Sequence, residues 1–214
     1  MFGRLLQAAF HVMVFRPLVY LIIGLSIRGR ERLPTRGPAI IVANHNSHYD
    51  TALLMSIFPI GNLHMVRPVA AADYWLATRF VSWFGRTIMG ILPIDRKARE
   101  RGADPLVGAR AALDTGDILI IFPEGTRGEP ERMAELKKGI SYLLETHNDV
   151  PVVPVFLRGS GRVLPRGAWL PVPFFVDVVV GRSFGWTGDR ESFMERLRMT
   201  LDEMSKEGRS VEWP

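Results

Sequence analysis

The chain has no cysteine among its 214 residues. That removes disulfides, thiolate-bound zinc and a thiolate nucleophile together. It also lacks a G-x-S-x-G elbow and a P-loop, so nothing points to a serine hydrolase or a nucleotide-phosphate cradle. No helix-turn-helix pattern, RNP-like aromatic signature or long Lys/Arg run accompanies the net charge of +5 and the pI near 10. Nucleic acid is set aside on that ground, and the basic balance fits an anionic membrane face or a phosphorylated small molecule. Long apolar runs are missing too: no stretch reaches the roughly 20 residues needed to span a bilayer. What remains is a chain that is 47% hydrophobic with a mean hydropathy of +0.09. It is long enough for one domain with a substantial core, and disorder is excluded.

The first thirty residues carry Arg4, Arg16, Arg28 and Arg30 and no acid, with uncharged stretches at Leu5 to Phe15 and Pro17 to Ile27. Arg16-Pro17 interrupts the run, so the pattern predicts a helix, a break and a second helix lying in an interface, with the arginines meeting anionic headgroups. An amphipathic helix docked on the core fits the same pattern. From Pro34 onward, short apolar runs alternate with helical periodicity. Strands are expected at Ala39–Ala43, His64–Ala70, Gly90–Ile94, Ile118–Phe122, Val152–Leu157 and Phe174–Gly181. Helices are expected at Thr51–Ile57, Tyr74–Phe84, Pro105–Asp114, Leu136–Thr146 and Arg190–Lys206. The fold class is therefore α/β: a mixed, largely parallel sheet flanked by helices, with antiparallel pairing after Pro151.

Polar residues gather where those strands end, which is where α/β sheets place their sites. Asn44-His45-Asn46-Ser47-His48-Tyr49-Asp50 follows the first strand. Histidine exchanges protons near neutral pH, and Asp50 is spaced to hold the His45 ring in one tautomer. Two other readings stay open for this segment: ordinary helix capping, and metal ligation by His45, His48 and Asp50 in a metal-dependent hydrolase. Phe122-Pro123-Glu124-Gly125-Thr126-Arg127-Gly128 follows another strand; its glycines admit close backbone approach and Arg127 offers a fork for phosphate oxygens. Arg96, after Gly90–Asp95, supplies a second arginine. Val150–Val155, with Pro151 and Pro154, is an apolar strand whose prolines suggest a sheet edge.

In this order and spacing, the four segments resemble the 1-acylglycerol-3-phosphate acyltransferases and their glycerolipid relatives. The N-H-x-x-x-x-D box falls on Asn44–Asp50, the arginine block on Ile94–Arg96, the F-P-E-G-T-R box on Phe122–Arg127 and the proline block on Val150–Val155. The resemblance implies that His45 is the base and Asp50 its orienting partner. It assigns Arg96, Glu124, Gly125, Thr126 and Arg127 to the acceptor's phosphate, and Pro154 to the pocket wall. It further implies no cofactor, acyl-CoA or acyl carrier protein thioester as co-substrate, a lysophospholipid acceptor, and a membrane-associated enzyme at the cytoplasmic face. Residues 1–33 are then expected to be a membrane-associating helical segment and 34–214 the acyltransferase domain. The chain departs from the family over His64–Asp73, where many relatives carry a lysine after a short apolar strand, and this bears on the acceptor rather than on the reaction. Oxyanion donors are expected from backbone N–H groups near Asn46 and Ser47.

Overall fold

The computed structural model describes residues 2–47, 49–126, 133–163 and 174–207. Seven strands form one sheet: β1 (Gly24–Arg28), β2 (Ala39–Ala43), β3 (Val66–Ala71), β4 (Leu92–Ile94), β5 (Ile118–Ile121), β6 (Val152–Arg158) and β7 (Phe175–Val180). Their order is β1-β7-β6-β2-β5-β3-β4. All neighbours run parallel except β6 and β7, which pair antiparallel from Val155 against Val180 to Arg158 against Asp177. The mixed, largely parallel α/β architecture expected from sequence is the one observed. β2 is buried at every position, as its unbroken Ala-Ile-Ile-Val-Ala run requires of a central strand covered on both faces.

Two apolar layers hold the sheet. On one face, Ile41, Ile120, Val153 and Val178 pack with Leu53, Leu54, Met55 and Ile57 of α2 (Asp50–Ile57) and with Ile23 from the N-terminal segment. On the other, Ile40, Val42, Leu119 and Val152 pack with α5 (Val107–Asp114), α6 (Gly139–Leu144) and α8 (Arg190–Glu207). α8 is amphipathic, and Phe193, Leu197, Leu201 and Met204, three or four residues apart, are its buried face.

The N-terminal segment differs from the sequence expectation. Helix α1 (Phe2–Phe10) continues through π-helical turns at His11–Phe15 and Leu18–Ile22 without a break at Arg16-Pro17, both of which are helical. The Arg16 N–H reaches back five residues to the His11 carbonyl. A ladder widened in this way makes room for a ring that would kink a tighter helix. Nor is the second stretch helical to Ile27, because residues 24–28 are β1, paired in register with β7. The sheet thus begins inside the segment set apart as residues 1–33. Two of the arginines expected to meet headgroups bond the protein's own backbone: the half-buried Arg16 donates to the Phe58 carbonyl at 2.6 Å, and Arg30, itself exposed, to the Ile57 carbonyl at 3.3 Å. Those carbonyls end α2, where a helix dipole favours a cation.

The helix expected at Tyr74–Phe84 is divided into α3 (Ala72–Trp75) and α4 (Arg79–Thr87). Thr78 caps α4, its hydroxyl accepting the Val81 N–H at 3.2 Å, so local capping overrides the continuous apolar pattern. The short helix α7 (Ser160–Val163) is a single turn after β6. No described helix is long and apolar enough to cross a membrane.

Candidate active site

β2 and β5 lie side by side and parallel, so the loops leaving their C-terminal ends meet. The first carries His45, the second Phe122 to Thr126. His45 Nδ1 lies 2.9 Å from Asp50 Oδ2. Asp50 is fully buried at the start of α2, and the same oxygen accepts the backbone N–H of Asn46 at 2.6 Å and of Ser47 at 2.8 Å. A buried carboxylate bonded by three donors is held in one place. It fixes the imidazole proton on Nδ1 and leaves the Nε2 lone pair free. Phe122 stacks on the ring at 4.2 Å between centroids, fixing its second rotational degree of freedom.

Asn44 and Glu124 anchor the loop itself. Asn44, at the end of β2, acts as an extra peptide toward β6. Its amide donates to the Leu157 carbonyl at 2.8 Å and its carbonyl accepts the Leu157 N–H at 2.7 Å. Glu124 is 2% exposed. One of its oxygens accepts the His45 N–H at 2.7 Å and the other the Ala134 N–H at 2.9 Å. The carboxylate expected to bind acceptor phosphate is therefore occupied as a buried tie between the two loops, which also spares it the repulsion of a phosphate. The N–H groups of Asn46 and Ser47 are likewise not oxyanion donors, because both are committed to Asp50.

The space in front of His45 is a cavity of about 810 Å³. Its walls include Val69, Ile94, Leu106, Ile121, Ile140 and Leu143, and Arg96, Lys137 and Lys138 stand on its rim. Gly125 and Thr126 also line it. Gly125 has φ +69°, and a Cβ there would come within 2.9 Å of the Lys137 side chain. A side chain at this position is excluded twice, by conformation and by space. Arg96 bonds the Gly125 carbonyl, so the arginine block and the glycine loop are joined. Lys137 is placed by its own N–H, which donates to the Pro123 carbonyl at 2.8 Å. That bond is also why α6 begins at Gly139 rather than at Leu136.

Pro154 is elsewhere. It sits buried in the interior strand β6 opposite Val42, away from the cavity. A proline is tolerated there because its missing donor faces Gly181, one residue beyond the β6–β7 ladder, whose N–H donates to the Pro154 carbonyl at 2.8 Å. A Cβ on Gly181 would meet the Pro154 ring at 2.8 Å. Neither a sheet edge nor a pocket wall describes this residue. Arg127 and His48 lie outside the described residues. Among the described residues, no three His, Asp or Glu side chains are grouped to hold a metal ion.

The site thus sets an aspartate-held histidine, at the C-terminal end of a central parallel strand, before an apolar cavity with a cationic rim, where α/β sheets place their sites. Residues 24–158 match the Acyltransferase family model, and the chain belongs to that family. It is 30% identical over 151 residues to the chloroplastic 1-acyl-sn-glycerol-3-phosphate acyltransferase of Arabidopsis thaliana, covering 70% of this chain and 40% of that protein. It is also 30% identical to the 1-acyl-sn-glycerol-3-phosphate acyltransferase of Saccharomyces cerevisiae, over 70% of this chain and 48% of the relative. The chain thus spans less than half the length of these two relatives. The crystal structure of a 1-acyl-sn-glycerophosphate acyltransferase from Thermotoga maritima shares the fold, with a TM-score of 0.78, 21% identity, and coverage of 99% of this chain and 81% of that one.

Proposed function

We propose that the chain transfers a fatty acyl group from an acyl-CoA or acyl carrier protein thioester to the free hydroxyl of lysophosphatidic acid, giving phosphatidic acid. One observation carries the reading: the His45–Asp50 pair presents a free imidazole nitrogen to a cavity that is apolar within and cationic at its rim. His45 Nε2 takes the acceptor's hydroxyl proton as that oxygen attacks the thioester carbonyl carbon. The tetrahedral intermediate then expels the thiolate, which recovers the proton from the imidazolium. The apolar wall suits an acyl chain, and Arg96 with Lys137 suits a phosphate. The relatives, named for acylation of 1-acyl-glycerol-3-phosphate, support the same acceptor.

In this reading the enzyme works on the cytoplasmic face of a membrane, with the N-terminal helix in contact with lipid. Phe2, Leu5, Met13 and Leu21 are exposed along it while Val19 and Ile23 are buried against the core, as expected of a helix shared between protein and interface.

A second acceptor class has one observation in its favour. Asp73 is the only carboxylate lining the cavity among the described residues, and it suits an acceptor that carries an ammonium as well as an anion, such as lyso-ornithine lipid or a zwitterionic lysophospholipid. The test is lipid mass spectrometry after incubation of wild type and His45→Ala with each thioester and a panel of lyso-acceptors. Wild type is expected to form phosphatidic acid, and the variant to be slower by about 10²- to 10⁴-fold. Equal turnover by the variant would remove the base assignment, and product from another acceptor alone would replace lysophosphatidic acid.

A further inference from the structure

The chemistry leaves one conspicuous surface unused. Helix α4 turns Phe80 and Trp83 outward, 71% and 48% exposed, with Arg79 and Arg86 exposed beside them. Its sequence, Arg-Phe-Val-Ser-Trp-Phe-Gly-Arg-Thr, holds no acid; the carboxylate nearest along the chain is Asp73 on α3. The opposite side of α4 is spent on packing. Gly85 lies so close to Trp75 that a Cβ would come within 2.5 Å of its ring, and Phe84 meets Phe10 edge-on at 5.5 Å. The exposed aromatics are therefore what remains when the inward face is already full.

This surface has two neighbours. α1 packs along α4, with Gly3 beside Thr87, and carries Phe2, Arg4 and Leu5 exposed at the same end of the molecule. On the other flank, α3 brings Tyr74 and Trp75 into the cavity wall. Aromatic rings next to exposed arginines suit the headgroup level of a bilayer, where rings prefer the interface and guanidinium groups meet lipid phosphates. An apolar patch of this kind is costly in water.

We propose that α4 is a membrane-contacting element in its own right, seated on an anionic lipid surface independently of the N-terminal helix. It places the cavity mouth at the depth where a lysolipid lies. Its purpose rests on the lysolipid reading, but binding is measured without catalysis.

The experiment is vesicle sedimentation of the full chain with phosphatidylglycerol–phosphatidylcholine and with pure phosphatidylcholine vesicles. It compares wild type, Phe80→Ser/Trp83→Ser, Arg79→Gln/Arg86→Gln and Phe2→Ser/Leu5→Ser. The aromatic variant is expected to bind roughly tenfold or more weakly to anionic vesicles with an unchanged circular-dichroism melt, since both side chains are exposed. The arginine variant should lose several-fold on anionic vesicles and nothing on phosphatidylcholine. Aromatic-variant binding within twofold of wild type overturns the proposal, as does a wild type that binds neither vesicle. A dimer in size-exclusion chromatography that the aromatic variant dissociates would make this face a self-interface and overturn it equally. A protein that binds through α4 yet transfers no acyl group overturns the proposed function alone.

Discussion

The two sides of the cavity mouth are built on opposite plans. Around His45, each supporting polar group is buried and bonded: Asn44 to β6, Asp50 to three donors, and Glu124 to two loops. Across from it, Arg96, Lys137 and Lys138 are exposed on flexible stems. A base must be held within a fraction of an ångström to be useful, whereas a rim of cations can close on a phosphate by rotating side chains. Under the proposed reaction, the difference teaches that the buried carboxylates of this site serve position, and the exposed cations serve affinity.

Variants on each side can break that division, and the largest effect is expected at Asp50. Asp50→Asn removes the charge from the oxygen that His45, Asn46 and Ser47 share, and turnover should fall by about 10²-fold or more with KM little changed. A rise in KM with kcat preserved would make Asp50 a binding residue instead. Glu124→Gln comes next, because one of two backbone N–H donors then faces an amide NH2. Chemical denaturation should show a loss of about 1–3 kcal/mol, with lower kcat and an unaltered acceptor KM. An acceptor KM that rises at unchanged stability would restore the phosphate-binding role.

Arg96→Ala should do the reverse. Acceptor KM is expected to rise about tenfold while stability stays within about 0.5 kcal/mol; a stability loss matching that of Glu124→Gln would dissolve the contrast. The smallest effect sharpens it from a third direction. His11 is fully buried, and among the described residues neither ring nitrogen meets the geometry of a hydrogen bond. Burial lowers its pKa to about 4, against an opposing pull from the Ile88 backbone and with a further push from Arg16. The unfolded chain takes up a proton below about pH 6.5 that the folded chain refuses, so stability falls as pH drops from 6.5 toward 4 and then levels. With solvent screening allowed for, about 2 kcal/mol is lost in that window, and His11→Leu should flatten that limb in pH-dependent melts.

Much of this is legible in the sequence. The central strands announced themselves as continuous apolar runs, and the polar residues after β2 and β5 fell at strand ends, where a parallel sheet brings neighbouring loops together. β1 was hidden because Gly24-Leu25-Ser26-Ile27-Arg28 follows a helix with hardly a turn between them, and its partner β7 lies far along the chain. The division at Thr78 was hidden because the apolar period runs through it. Roles were harder to read than places. Glu124 and His45 are 79 residues apart, and nothing local says that a carboxylate in a phosphate-like loop spends both oxygens on backbone donors. The stacking of Phe122 on His45 and the bonds of Arg16 and Arg30 to the end of α2 are equally products of tertiary structure. Pro154 misled because proline usually marks an edge, and only the register with Gly181 explains its place inside the sheet.

The outermost strand, β4, pairs with β3 over three residues, Leu92–Ile94 against Val69–Ala71. Val69–Ala71, Ile94 and Arg96 all border the cavity, while His45 hangs from the middle of the sheet. Under the proposed reaction, selection can rewrite the margin, changing which acceptor fits, without touching the tightly bonded centre. A duplicated gene of this design could acquire a new substrate through a few peripheral substitutions and remain a working catalyst at every step.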